Sequence, residues 1–409
     1  MKIGYLLGDA TMHSGGVAPY AWRILELLLS QSQFEKIEII VFCSPELETS
    51  CLDLINKYQA KAKPYLIPYK FSFLNTVVSR FTNFISQVLV KFNISSQGIK
   101  NLHDSFLSFL SFLWFVSLDI DLLHVPYQIS PCYNLLYPLI ITMHDVQELH
   151  YPEFFTPRER AWRAEHYWKS LEQSSLAIVS FNHVKEDLIK YFQLDEQKIH
   201  VSPLPYQKIY LQEPTLEEQL TYKNKYAQWG GFLLYPAQTW QHKNHLSLIK
   251  AVEYIKDKFG RVIYVLCTGK KNLSFFPVIE DYLKKSEVAE QIHFLDVVPE
   301  TQLYWLYKNC SLVVIPTLYE AGSFPLLEAM SLETPVICSS VTSLPEIIGD
   351  SRFIFNPFDI NQIANLILQM IDNSNLRTDN ILNSRIKIQE FHKIDSASKL
   401  IQAYHKVLE

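Results

Sequence analysis

A chain of 409 residues is longer than one ordinary core, so two domains are expected; 48% hydrophobic and 19% charged residues exclude a disordered or fibrous protein. A net charge of −5 gives no reason to expect nucleic acid. Six scattered cysteines (Cys43, Cys51, Cys132, Cys267, Cys310, Cys338) with no CxxC pair exclude a disulfide frame or zinc ribbon and predict reduced, packed thiols in a cytosolic protein.

The first apolar run, Ile3–Leu7, is a strand ended by Gly8-Asp9, too short for a secretory leader. Gly15-Gly16 then precede a helix with apolar positions Val17, Ala21, Ile24, Leu25 and Leu28. A glycine pair at a helix start lets backbone N–H groups approach a phosphate, although it is also an ordinary tight turn. A strand follows at Ile37–Cys43. From Leu54 to His103 there are seven basic residues and no acidic one, and the block has a helical apolar face from Leu74 to Phe92. Ser105–Leu118 is uncharged and rich in Phe and Leu, but falls short of the ~20 residues that span a bilayer. Residues 54–118 therefore either pack on the first domain or lie against an anionic membrane surface.

Further strands are expected at Asp121–Tyr127, Leu139–His144, Leu176–Phe181 and Ile199–Leu204. Asp119 and Asp121 match a metal-binding DxD but read better as a polar strand entry. Ser180 lacks a nucleophile-elbow context and is expected to cap a helix, while His200 and His293 open strands as solvated or locally bonded residues. A second series runs through Phe232–Ala237, Arg261–Thr268, Ile292–Val297, Ser311–Thr317, Pro335–Ser339 and Arg352–Asn356. This βαβ rhythm predicts two Rossmann-like domains, with ligands at the carboxyl ends of the strands. Their bounds are 1–204 and 229–391, separated by a linker at 205–228 and followed by a helical segment at 392–409.

The most informative stretch is PTLYEAGSFPLLEAM, Pro316 to Met330. Its strand ends at Thr317, a loop carries Glu320 and Gly322, and a helix starts near Phe324-Pro325, because proline is tolerated only in a helix's first turn. The N–H groups of Gly322, Ser323 and Phe324 are then placed to hold a diphosphate. An ionised Glu328 only accepts hydrogen bonds and can take both hydroxyls of a ribose. On residue type alone, Glu320 reads better as a solvated loop acid and Glu328 as a helix-surface acid. His242 and His245 find no third ligand at zinc spacing.

The E-x7-E of this stretch, followed by TPVICSSVTSLPEIIGDSRFIFNPFD, resembles the donor site of the retaining glycosyltransferases of family four, which have the GT-B fold. YPAQTWQHKNH, IITMHDVQELHYPEFF and GGVAPYAWRILELL resemble, in the same order, that family's lysine loop, histidine segment and glycine loop. The resemblance implies that Lys243 neutralises the donor diphosphate, Glu320 lies by the sugar ring, Glu328 holds the ribose, His144 contacts the sugar, and Gly15-Gly16 approach the phosphates. It also implies transfer with retention, without a metal or cofactor, and a C-terminal helix returning to the first domain. The AQTWQHKNH loop points to mannose from GDP-mannose, with UDP-sugars open, and to a glycan or lipid-linked acceptor. A cytoplasmic enzyme is expected, peripheral at the inner membrane face in the case that residues 54–118 lie against the membrane.

The departures from the family pattern lie around the diphosphate. The family's arginine is absent, Gln238 standing near its place, with His242 or Lys270-Lys271 as substitutes for its charge. The usual E-G-F-G run is Glu320-Ala-Gly-Ser, and Glu333 stands where glycine is usual. A GT-B sugar-nucleotide epimerase and a partner subunit that binds donor without turnover are the alternatives.

Overall fold

The structure is a computed structural model and describes residues 1–9, 17–32, 36–66, 119–203 and 211–409. Gly15, Gly16 and the basic block beyond residue 66 lie outside the described residues. The chain divides into two compact units, one of Met1–Val146, Phe155–Pro205 and Asp395–Glu409, the other of Gln147–Phe154 and Tyr206–Ile394.

The first unit begins with β1 (Lys2–Gly8), α1 (Val17–Gln31), β2 (Glu38–Cys43), α2 (Glu48–Tyr58), β3 (Ala62–Leu66), β4 (Leu122–Val125) and β5 (Leu139–Thr142). After a short turn of helix, α3 (Gln147–His150), which belongs to the second unit, it continues with α4 (Pro157–Gln173), β6 (Leu176–Val179), α5 (Asn182–Phe192) and β7 (Ile199–Val201). The strand order is β3-β2-β1-β4-β5-β6-β7, and every pairing is parallel. All residues of β4, β5 and β6 are buried, as expected of parallel strands covered on both faces. Helix α1 buries Ala18, Ala21, Leu25 and Leu28 along one stripe at three- and four-residue spacing.

β3 has no counterpart among the sequence-derived strands. It is an edge strand with exposed Lys63, Tyr65 and Leu66 and a proline at its centre, so it lacks the buried apolar run that marks its neighbours. Ser180 does not cap α5: the N-cap position is Phe181, without a side-chain cap, and Ser180 is buried one residue earlier.

The second unit continues with α6 (Leu216–Tyr226), β8 (Leu233–Pro236), α7 (His245–Phe259), β9 (Val265–Thr268), α8 (Phe276–Leu283), β10 (Ile292–Phe294), α9 (Glu300–Asn309), β11 (Leu312–Ile315), α10 (Phe324–Ser331), β12 (Val336–Ser339), α11 (Leu344–Ile348), β13 (Ile354–Phe355), α12 (Ile360–Asp372) and α13 (Ser374–Lys393). The strand order is β10-β9-β8-β11-β12-β13, again all parallel. Within the stretch expected as linker, α6 starts at a reciprocal capping box between Thr215 and Glu218, and Tyr226 stacks on Trp305 of α9 at 5.6 Å. Gln147–Phe154, expected in the first domain, joins the second unit, where the Tyr151 hydroxyl donates to the Leu318 carbonyl (3.0 Å).

The last helix, α14 (Ser396–Leu408), belongs to the first unit and buries Leu400, Ile401, Ala403 and Tyr404 in the core around Ile3, Tyr5 and Leu7. The Tyr404 hydroxyl meets His124 Nδ1 at 2.7 Å, and His124 Nε2 lies 3.1 Å from Thr142 Oγ1. Among the described residues no helix is long and apolar enough to cross a membrane.

Candidate active site

In a doubly wound parallel sheet, the chain leaves in opposite directions on either side of one strand pair, opening a crevice at the strands' carboxyl ends. In the second unit that pair is β8 and β11. The loop after β8 carries Lys243 and the loop after β11 carries Glu320, so the topology alone brings the two residues to one crevice.

Hydrogen bonds make this meeting specific. The His242 carbonyl accepts from the Leu318 amide (2.7 Å) and from Thr317 Oγ1 (2.9 Å). Tyr235, at the end of β8, donates its hydroxyl to the Lys243 carbonyl (2.7 Å). Asn244 takes a left-handed conformation, φ 57°, and its Nδ2 donates to the carbonyls of Pro316 (2.9 Å) and Pro357 (3.2 Å). Asn tolerates this conformation better than most residues, which suits it to the position after Lys243. Glu320 is fixed by its backbone: its amide donates to Thr342 Oγ1 (3.1 Å), and Ser343 Oγ donates to its carbonyl (3.0 Å). As a result Lys243 Nζ lies 2.9 and 2.6 Å from the two carboxylate oxygens of Glu320, with side-chain exposures of only 18% and 11%. An ion pair so far removed from water leaves a costly unpaired charge if either partner is removed.

Helix α10 starts beside this pair. Ser323 is its N-cap and accepts the Leu326 amide (3.4 Å), while Pro325 has no amide to satisfy. The amides of Ser323 and Phe324, ahead of the first turn's bonds, have no intrahelical acceptor and lie at the positive end of the helix dipole. Glu328, one turn on, is half-buried and accepts a hydrogen bond from the Tyr307 hydroxyl (2.7 Å). Burial, with the Glu328 charge second, raises the Tyr307 pKa far above that of an ordinary phenol, so it remains a donor.

Gln238 and its neighbours build the other wall. The Gln238 Oε1 accepts from the Trp240 indole (3.1 Å). Gly269, after β9, has φ 112°, and a Cβ there would fall 2.8 Å from the Ala237 carbonyl carbon and the Gln238 nitrogen, so only glycine lets the two loops touch. Lys270 and Lys271 follow directly; Lys270 is exposed, and Lys271 lies over the Phe276 ring. Burial and, secondarily, the Lys243 charge push the His242 pKa down to about 3, so His242 is neutral near pH 7 and supplies no charge in place of the arginine. Of the two substitutes expected for that charge, this leaves the lysine pair.

In the first unit, His144 follows β5, its Nε2 3.0 Å from the Pro126 carbonyl and its ring edge-on to Tyr20 at 4.7 Å. Burial lowers its pKa. Asp121 accepts the Lys2 amide (2.7 Å) and Asp119 pairs with the Lys2 ammonium. Among the described residues no three His, Cys, Asp or Glu side chains converge as a metal site.

Two family models match the chain in sequence. Glycosyltransferase Family 4 covers residues 88–206 and Glycosyl transferases group 1 covers residues 223–387, the latter spanning the whole crevice just described. The chain belongs to the family-four glycosyltransferases. This glycosyltransferase is 25% identical to O-antigen chain mannosyltransferase B of Escherichia coli over 266 residues, 65% of this chain and 69% of that one. It is 26% identical to O-antigen chain mannosyltransferase RfbU of Salmonella typhimurium over 54% of this chain and 57% of that protein. Among solved structures, WaaG, a glycosyltransferase of lipopolysaccharide biosynthesis, superposes with a TM-score of 0.58 at 15% identity, over 100% of this chain and 99% of that one. HepE of Anabaena in complex with UDP gives 0.63 at 13% identity, over 99% of both chains. These likenesses establish the GT-B fold.

Four further residues build this crevice through hydrogen bonds: Tyr235, Asn244 and Thr342, which lie within the stretches that carry the family resemblance, and Tyr307, which lies outside them.

Proposed function

We propose that this glycosyltransferase moves mannose from GDP-mannose to a glycan or lipid-linked acceptor with retention of configuration and without a metal ion. The observation that carries this reading is the Lys243–Glu320 pair, held at the switch point of the nucleotide-side sheet. The names of the O-antigen mannosyltransferases it resembles support mannose and a glycan acceptor.

The assigned roles follow from charge. Lys243 leaves Glu320 for the donor diphosphate and stabilises the negative charge that grows on it as the anomeric bond breaks. The amides of Gly322, Ser323 and Phe324 hold the same diphosphate, with Gln238 and a neutral His242 beside it. Glu320, freed from the lysine, faces the sugar ring and offsets positive charge developing at the anomeric carbon. The departing phosphate takes the acceptor proton, as the family's front-face mechanism has it. Glu328 accepts from the ribose hydroxyls, and His144 keeps the sugar contact that the resemblance implies.

Nucleotide release from a panel of GDP-, UDP- and ADP-sugars, with and without EDTA, tests the reading. GDP-mannose is expected to give the fastest release, unaffected by chelation. Lys243→Ala lowers kcat by about a hundred-fold or more, the scale of losing one preorganised charge, and Glu328→Ala chiefly raises the donor KM. Full activity in both variants refutes the site, and binding without turnover under every donor favours a partner subunit.

A further inference from the structure

Tyr307 lies outside every motif of the donor site, yet it is fully buried and its one polar atom is aimed at Glu328. We propose that Tyr307 is the positioning residue for the nucleoside end of the donor: it occupies one oxygen of Glu328 and thereby turns the carboxylate so that it accepts from a vicinal diol. The inference rests on the reading of Glu328 as the ribose acceptor and adds what makes that glutamate selective.

The geometry supports a fixed donor. Tyr307 sits on α9, where its carbonyl accepts from Thr334 Oγ1 (3.1 Å) and from Cys310 Sγ (3.3 Å), so its backbone is tied to the segments flanking β11 and β12. Its hydroxyl meets Glu328 Oε2 at 2.7 Å and lies 3.4 Å from the Pro325 carbonyl, which belongs to the first turn of the same helix as Glu328. A buried phenol bonded to a carboxylate loses its ring freedom, and the carboxylate loses rotation about its terminal torsion. A ligand that needs both hydroxyls bonded then meets a carboxylate already in place, without ordering it on binding. The phenol stays protonated throughout the physiological range, since burial and then the neighbouring charge both raise its pKa.

The test uses the full-length enzyme and four probes, GDP, UDP and their 2′-deoxy forms, with affinities measured by calorimetry. The quantity read is the ratio of ribo to deoxyribo affinity for whichever nucleotide binds more tightly. Tyr307→Phe keeps the ring and its packing and removes only the hydroxyl. It is expected to weaken the ribonucleotide by about five- to ten-fold, leave the deoxynucleotide nearly unchanged, and so shrink the ratio, a loss on the scale of one ordinary hydrogen bond. Glu328→Gln is expected to shrink the same ratio at least as much.

A purely packing role moves both affinities together and leaves the ratio alone. An unchanged ratio in Tyr307→Phe with a collapsed ratio in Glu328→Gln overturns the proposal while the ribose reading stands. An unchanged ratio in both variants overturns the two together. If Tyr307→Phe proves unstable at the usual assay temperature, both single variants and the double variant are compared at low temperature: additive effects on the ratio overturn the coupling, and non-additive effects support it.

Discussion

Three histidines, His124, His242 and His245, are pushed down to a pKa of about 3 by burial, helped at the latter two by Lys243 and at His124 by His144. In the unfolded chain each titrates near 6.5. Between pH 6.5 and about 3 the unfolded state therefore binds protons that the folded state refuses, and stability falls as pH falls through that window. Above 6.5 both states are neutral and the contribution is complete. His245 isolates the effect, because its ring packs between Tyr235 (4.6 Å) and Phe294 (5.8 Å) and a phenyl ring can replace it. His245→Phe is expected to lose about 2–3 kcal/mol less stability than the parent between pH 6.5 and 4.5, one proton over two pH units. Denaturant unfolding at four pH values measures this, and parallel curves for the two proteins would refute it. The same reasoning makes His242 silent in the pH–rate profile. No activity inflection belonging to it is expected between pH 5 and 8.

At the scale of the element, the turn after α10 shows how a departure from the family pattern is accommodated. Glu333 has φ 55°, the left-handed region where glycine is at ease, and its carboxylate pairs with Arg385 at 2.6 Å on an exposed face. Left-handed backbone costs an L-residue about 1–2 kcal/mol, while an exposed ion pair returns ~0.5 kcal/mol. Part of the backbone relief is lost to the greater freedom of glycine in the unfolded chain. Glu333→Gly is therefore expected to stabilise the second unit by about 0.5 kcal/mol, seen as a small rise in Tm, and a clear drop would show that the Arg385 pair outweighs the backbone strain. The glycine usual at this position was legible in sequence as a departure, whereas its cause, a positive φ, was not. The same contrast holds for the fold. Strands such as Leu233–Pro236 and Leu312–Ile315 were legible because both of their faces are buried and the sequence reads as an unbroken apolar run. Edge strand β3 was not, because Lys63 and Tyr65 face water. Helix α6 was missed although Thr215 and Glu218 spell its capping box, since its polar faces resemble a linker when Tyr222 and Tyr226 are read without Trp305. In the candidate site, the spaced motifs singled out Lys243, Glu320 and Glu328, but the hydrogen bonds of Tyr307 and Thr342 join residues 21 and 22 positions away, a separation no local pattern encodes.

For the molecule as a whole, charge distribution bears on where it works. The described part of the basic block ends in an edge strand with Lys63 exposed beside Tyr65 (39%) and Leu66 (37%), and Lys61 is exposed just before it. Lys57, by contrast, pairs with Glu26 at 2.8 Å and has less charge to offer a surface. Exposed lysines next to an exposed ring and aliphatic chain suit the interface of an anionic bilayer, each basic residue near the surface contributing about 1 kcal/mol. Such attraction is screened within about 10 Å at 0.1 M salt, so it is strong only at low ionic strength. We propose peripheral membrane contact through residues 54–118, of which 67–118 lie outside the described residues. Flotation with vesicles containing a third anionic lipid is expected to carry the enzyme at 20 mM salt and release it at 300 mM, with no binding to zwitterionic vesicles. Lys61→Glu with Lys63→Glu is expected to weaken flotation by about thirty-fold or more, two surface charges removed and reversed. Both residues belong to the first unit and neither is among the residues proposed to hold the donor, so donor hydrolysis in detergent-free solution should be unchanged in the same variant. Absence of flotation at low salt would refute membrane contact and leave the edge strand's lysines as a guard against strand-to-strand aggregation, the role such residues have on exposed sheet edges.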